Sequence, residues 1–206
     1  MFFKPQANDP GLLPANSDTH TALSTTNFNL HADLIEASKA GDRLAQARLY
    51  QLYNRAMFNI CSRMLGDQAA AEDALQEAFV NAFRKLHLFE GRSSFGAWLK
   101  RIVINKCLSH LNKKSLYTEP IDERIMEHPD DANEGVAEIE LVPEEIQEAI
   151  KSLPEGCRVV FTLYQLEGYD HQEIAQILGV SVSTSKSQYH RAKKLLRARL
   201  GKQVAR

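Results

Sequence analysis

The sequence predicts an all-α protein of two small helical domains joined by a flexible acidic linker. Three observations carry that reading. Apolar residues recur at three- and four-residue steps from residue 33 to 111 and again from 146 to 200, the period of an amphipathic helix. No stretch of useful length alternates apolar and polar residues as a half-buried strand would. Charge is also segregated. The 206 residues sum to −1, yet residues 31–115 carry net +5, residues 116–145 net −10 and residues 146–206 net +5. A near-neutral average thus conceals two basic blocks around an acidic one, as a nucleic-acid binder can.

Residues 1–30, rich in Asn, Pro, Ser and Thr, read as a disordered tail. The first domain is assigned to residues 31–115. Leu34, Ala37, Ala45, Leu49, Leu52 and Tyr53 repeat helically around a break at Gly41-Asp42. A further helix runs through Met57, Ile60, Cys61, Met64 and Leu65 to a stop at Gly66. Asp67 caps the next, whose buried stripe is Ala70, Ala74, Leu75, Ala78, Phe79, Ala82 and Phe83. A loop from about His87 to Ser94 leads to a helix carrying Phe95, Trp98, Leu99, Ile102, Val103, Cys107 and Leu111.

Residues 116–142 read as the linker, because like charges repel and extend a chain. The second domain is assigned to 143–200, with a basic tail at 201–206. Pro143 suits the first turn of a helix through Ile146 and Ile150. Leu153-Pro154 opens another with Val159, Val160, Leu163 and Leu166 as its apolar set, ended by Gly168. Asp170-His171-Gln172-Glu173 has capping-box spacing, and Gly179-Val180-Ser181 makes a tight turn into a long helix from about Val182 to Leu200.

Composition excludes several classes. No segment approaches the ~20 apolar residues of a membrane span, and the N-terminus lacks the pattern of a secretory signal, so a cytoplasmic protein without membrane insertion is expected. Cys61, Cys107 and Cys157 form no CxxC pair, and Cys107 with His110 lacks a second ligand pair, so buried free thiols are expected and no metal or cofactor. No phosphate-binding glycine loop or nucleophile motif points to an enzyme, and no catalytic residue is assigned.

What remains is binding. Two helices joined by a short glycine-containing turn, the second one basic, form a helix-turn-helix pattern. After Glu173 there are eight Lys or Arg residues and no acid. Ser185, Tyr189, Ala192 and Leu196 share the face expected to pack inward. Ser183, Thr184, Lys186, Ser187, Gln188, Arg191 and Lys194 are left for DNA, with Gln188 suited to a base edge and the cations to phosphates or bases. A solvated basic helix would carry the same charge; the turn and cap favour DNA.

The stretch LPEGCRVVFTLYQLEGYDHQEIAQILGVSVSTSKSQYHRAKKLLRARL resembles region 4 of extracytoplasmic-function (ECF) sigma factors of RNA polymerase, with Ser183, Ser185, Gln188 and Tyr189 departing from the family's commoner residues. YQLYNRAMFNICSRMLGDQAAAEDALQEAFVNAFRKLHLFEGRSSFGAWLKRIVINKCLSHLNKK resembles sigma region 2. The resemblance implies core RNA polymerase (its β and β′ subunits), promoter DNA and an anti-sigma factor as partners. It further implies −35 recognition by the second domain and −10 recognition and melting by the first. It places Asp73, Gln76 and Glu77 on the polymerase clamp; their i, i+3 and i, i+4 spacing puts them on one helix side.

Capturing a melted strand needs aromatics and cations. Phe89, Phe95 and Trp98 supply the former, with Trp98 more suited to the core. Arg84, Lys85, Arg92, Lys100, Arg101 and Lys106 supply the latter. By resemblance Asn105, Ser109, Asn112 and Lys113 join the −10 set, and the loop at 86–94 holds a flipped base. A stand-alone helix-turn-helix regulator is the alternative; it has no use for the acidic Asp73 face.

Overall fold

The computed structural model describes the backbone of residues 31–115 and 143–204, and side chains for 31–112 and 145–201. The expected tail at 1–30, the linker at 116–142 and residues 205–206 lie outside the described residues. All described regular structure is helical: α1 (Ala32–Lys39), α2 (Arg43–Leu65), α3 (Gln68–Arg84), α4 (Phe95–Ser115), α5 (Pro143–Lys151), α6 (Glu155–Phe161), α7 (His171–Leu178) and α8 (Val182–Val204).

The cap signals lie where the sequence puts them. Asp42 and Asp67 accept from backbone N–H groups of the first turns of α2 and α3. Gly66 ends α2 at φ +71, a left-handed conformation that costs a residue with a Cβ. Asp170 and Glu173 complete the capping box of α7.

Three expectations are corrected. The two helices read on either side of residue 55 are one continuous α2, and its buried stripe runs through Leu49, Met57, Ile60 and Met64. Leu52 falls on the opposite side and is 51% exposed. Leu166 is 43% exposed, because Thr162–Leu166 after α6 forms a wider π-type turn that rotates the apolar face away. The last helix continues past Leu200 to Val204, absorbing part of the expected tail.

α2, α3 and α4 pack into a bundle around Leu49, Met64, Leu99, Val103 and Ile104. Cys61 and Cys107 are fully buried in it. Contact with Cys61, together with burial, pushes the Cys107 thiol far above the ordinary range. In the second domain Ala149, Ile150, Leu153 and Cys157 pack against Ala192 and Leu196 of α8. The two domains are not separate bodies: Val159, Val160, Leu163 and Ile174 belong to the same apolar cluster as the α2–α4 core.

The helix-turn-helix is fixed by a polar and aromatic seam. Buried Ser185 pairs its Oγ with His171 Nδ1 at 2.9 Å. The His171 ring stacks on Tyr164 at 4.4 Å, and the Tyr189 hydroxyl donates to Gln165 at 2.7 Å. Burial, then Lys186 and His190, lower the His171 pKa below 6.5. A histidine whose folded pKa lies below its unfolded one binds fewer protons when folded, so stability falls as pH drops from neutrality through the unfolded value. The thermal midpoint is therefore expected to decrease between pH 7.5 and pH 5. His171→Asn should flatten that slope, as read by circular dichroism melting across the range.

Candidate polymerase and nucleic-acid surfaces

The core stripe of α3, Ala71, Ala74, Leu75, Ala78 and Phe79, forces the opposite side outward. Asp73, Gln76 and Glu77 all lie on that exposed side. Val80, 59% exposed, continues it one turn on. Sequence reasoning passed over Val80; the signal was its place at i+4 from Gln76 and off the buried stripe. Glu77 is also engaged within the domain. Its carboxylate lies 3.2 Å from Lys106 Nζ and 3.4 Å from His110 Nε2, tying α3 to α4.

α4 begins where Ser94 Oγ accepts from Ala97 N. Its exposed side carries Arg101, Asn105, Ser109 and Asn112 at three- and four-residue steps, one continuous polar stripe. Ser109 donates to the Asn105 carbonyl at 2.9 Å. Arg84 and Lys85 stand exposed where α3 ends, and Arg92 is exposed in the following loop, paired with Glu90 at 2.6 Å. The Lys113 side chain lies outside the described ones.

Two candidates for strand capture are corrected. Phe89 and Phe95 are buried, packed edge-on at 5.8 Å with Trp98 against both and Tyr53 against Phe95. Four aromatic rings bury far more apolar area among themselves than a solvent-facing ring could. They pin the loop after α3 to the bundle; in this arrangement neither Phe offers a face to a base. The exposed apolar residue of that loop is Leu88.

Cations of the expected −10 set are also partly engaged. Lys106 is held by Glu77, and Lys100 meets Glu167 of the second domain at 3.0 Å.

On α8, Ser183, Thr184, Lys186, Arg191 and Lys194 are exposed and Ser187 is half-buried. The first turn is ordered by Ser181, whose Oγ accepts from Thr184 N at 3.0 Å and bonds the Ser183 and Thr184 hydroxyls at 2.8 Å. Gln188 is the correction here. It is half-buried, its Oε1 accepts from Cys157 Sγ at 2.9 Å, and its amide packs on Gly156. The side chain expected to read a base fastens α8 to α6. Gln188→Ala should lower stability by about 1 kcal/mol, one lost internal hydrogen bond. It should leave the sequence preference of DNA binding unchanged, measurable by urea unfolding beside a selection of bound duplexes.

A helical bundle with an exposed acidic side on one helix and a polar, cationic one on the next, followed by a basic helix-turn-helix, is the build of a DNA-binding factor. Comparison with known proteins agrees. Residues 49–116 match Sigma-70 region 2, and residues 143–196 match Sigma-70, region 4. The chain is 31% identical over 182 residues to the ECF RNA polymerase sigma factor SigW of Bacillus subtilis (strain 168), covering 81% of this chain and 94% of that protein. It is 31% identical over 175 residues to the ECF RNA polymerase sigma-E factor of Escherichia coli (strain K12), covering 79% and 90%. The sigma factor RpoE of Bartonella quintana, solved with the anti-sigma factor NepR, superposes with a TM-score of 0.51 at 23% identity over 75% of this chain and 96% of that one, a likeness of fold.

The chain belongs to the sigma-70 family, in its ECF group. It directs promoter-specific transcription initiation, with core RNA polymerase and promoter DNA as its partners. Members of the family are initiation factors and not enzymes. Among the described residues no helix is long and apolar enough to cross a membrane.

Proposed function

We propose that the division of labour follows the two exposed faces of the first domain and the one of the second. Asp73, Gln76 and Glu77, with Val80 as an apolar neighbour, dock on core polymerase. The α4 stripe of Arg101, Asn105, Ser109 and Asn112, together with Lys100, Lys106, Arg84, Lys85 and Arg92, takes the −10 strand. Ser183, Thr184, Lys186, Ser187, Arg191 and Lys194 take the −35 duplex, where helix N-terminal groups and cations suit the phosphate backbone. The domain limits in this reading are 31–115 and 143–204. An anti-sigma factor acts by covering these faces, and the protein works in the cytoplasm beside polymerase, turning over no substrate of its own.

The observation that supports this most directly is that Asp73 and Gln76 lie exposed on the side of α3 opposite its core stripe. Carboxylates repel DNA phosphates, so a regulator that only binds duplex gains nothing from them. The test is run-off transcription with core polymerase on promoter fragments of the source genome. Asp73→Ala combined with Gln76→Ala is expected to cut core-dependent transcripts by about tenfold or more, a loss of roughly 1.4 kcal/mol or above in docking, with duplex binding by the free protein unchanged. Full activity of that double variant would instead place the polymerase-docking surface elsewhere on the chain.

A further inference from the structure

Glu167 stands just beyond the π-type turn of the second domain, before the sharp turn at Gly168. Its side chain is only 5% exposed, and its carboxylate faces two cations. Both charge partners come from the other domain: Arg63 Nη2 of α2 at 2.8 Å from Oε1, and Lys100 Nζ of α4 at 3.0 Å from Oε2. Each carboxylate oxygen thus takes one cation. The contact is flanked by a second one, in which Arg158 of α6 donates from Nε to Met64 O and from Nη2 to Leu65 O, both at 3.1 Å. Around the two lies the apolar cluster shared by the domains.

A carboxylate and a phosphate present the same chemistry to an ammonium group, an anionic oxygen at about 2.7–3 Å. Glu167 takes up one of the three Lys100 N–H donors and offsets its charge, which weakens the pull of that ammonium on a DNA phosphate. We propose that Glu167 is an intramolecular phosphate mimic: the second domain, folded back on the first, occupies Lys100 and holds the free protein in a closed form that competes with single-stranded DNA. This rests on the reading of Lys100 as a DNA contact. In a two-state equilibrium the apparent dissociation constant is the intrinsic one divided by the fraction of competent molecules, so a closed population of about 80–90% weakens strand binding about five- to tenfold.

The experiment uses the full-length protein without polymerase. Affinity for a fluorescein-labelled single-stranded oligothymidine of about 15 nucleotides, within the length such grooves cover, is read by anisotropy. Small-angle X-ray scattering reads the radius of gyration. Glu167→Gln keeps the side-chain shape and removes the charge. It is expected to bind about five- to tenfold tighter than the parent protein and to have a larger radius of gyration. Arg63→Gln, which loosens the same contact from the opposite domain, should shift both readouts in the same direction. Adding Lys100→Ala to Glu167→Gln should remove the gain.

Unchanged affinity and radius for both Glu167→Gln and Arg63→Gln, with Lys100→Ala still weakening binding, would overturn the closed form while leaving Lys100 a DNA contact. If Lys100→Ala weakens binding in neither background, the DNA reading of Lys100 falls, and the competition with it.

Discussion

Arg158 is a positive charge in the protein interior, and the arrangement of both domains depends on how it is satisfied. Burial disfavours its charged form and lowers its pKa, with Glu155 opposing the shift. A buried guanidinium is tolerated only when its donors are taken up. Here the acceptors are the Met64 and Leu65 carbonyls at the end of α2, Lys151 O at the end of α5, and Leu153 O just beyond. The first three are carbonyls that a helix end leaves without partners, and they carry the negative end of its dipole. One side chain thus closes the termini of two helices from different domains. Gly66 makes the approach possible, since a Cβ there would lie 3.1 Å from the Arg158 Cζ.

Several exposed and half-buried cations are arranged by the same economy of charge. Carboxylates of the chain itself hold several cations suited to DNA: Glu77 with Lys106, Glu90 with Arg92, Glu167 with Lys100. The first two pairs lie within the first domain, and surface pairs of this kind are weak enough to yield to a phosphate. The third crosses between domains and is more buried.

Helix positions were legible in the sequence because their signals are local. Gly66, Asp67, Asp170 with Glu173, and Gly179 each act through their own backbone or a residue three away. The inward face of α8 was legible for the same reason: Ser185, Ala192 and Leu196 follow the helical period. What was not legible depends on neighbours remote in sequence. Phe89 and Phe95 carry the composition of a base-stacking site, but Tyr53 and Trp98 supply the partners that bury them. Gln188 has the chemistry of a base reader and is diverted by Cys157, 31 residues away. The π-type turn after α6 leaves no periodic trace, so Leu166 read as core. Arg158 drew no reading, because no local pattern announces two helix ends converging on it.

The Cys61 and Cys107 thiols join α2 to α4 at the centre of the first bundle. Alkylating reagents attack the thiolate, a form that burial and the neighbouring thiol both suppress at Cys107. Modification then waits on the rare moments when the helices part, so its rate follows the free energy of that opening. The chain thereby carries an internal stopwatch: the pace of labelling at Cys107 in the native protein reports how firmly the first bundle stays shut.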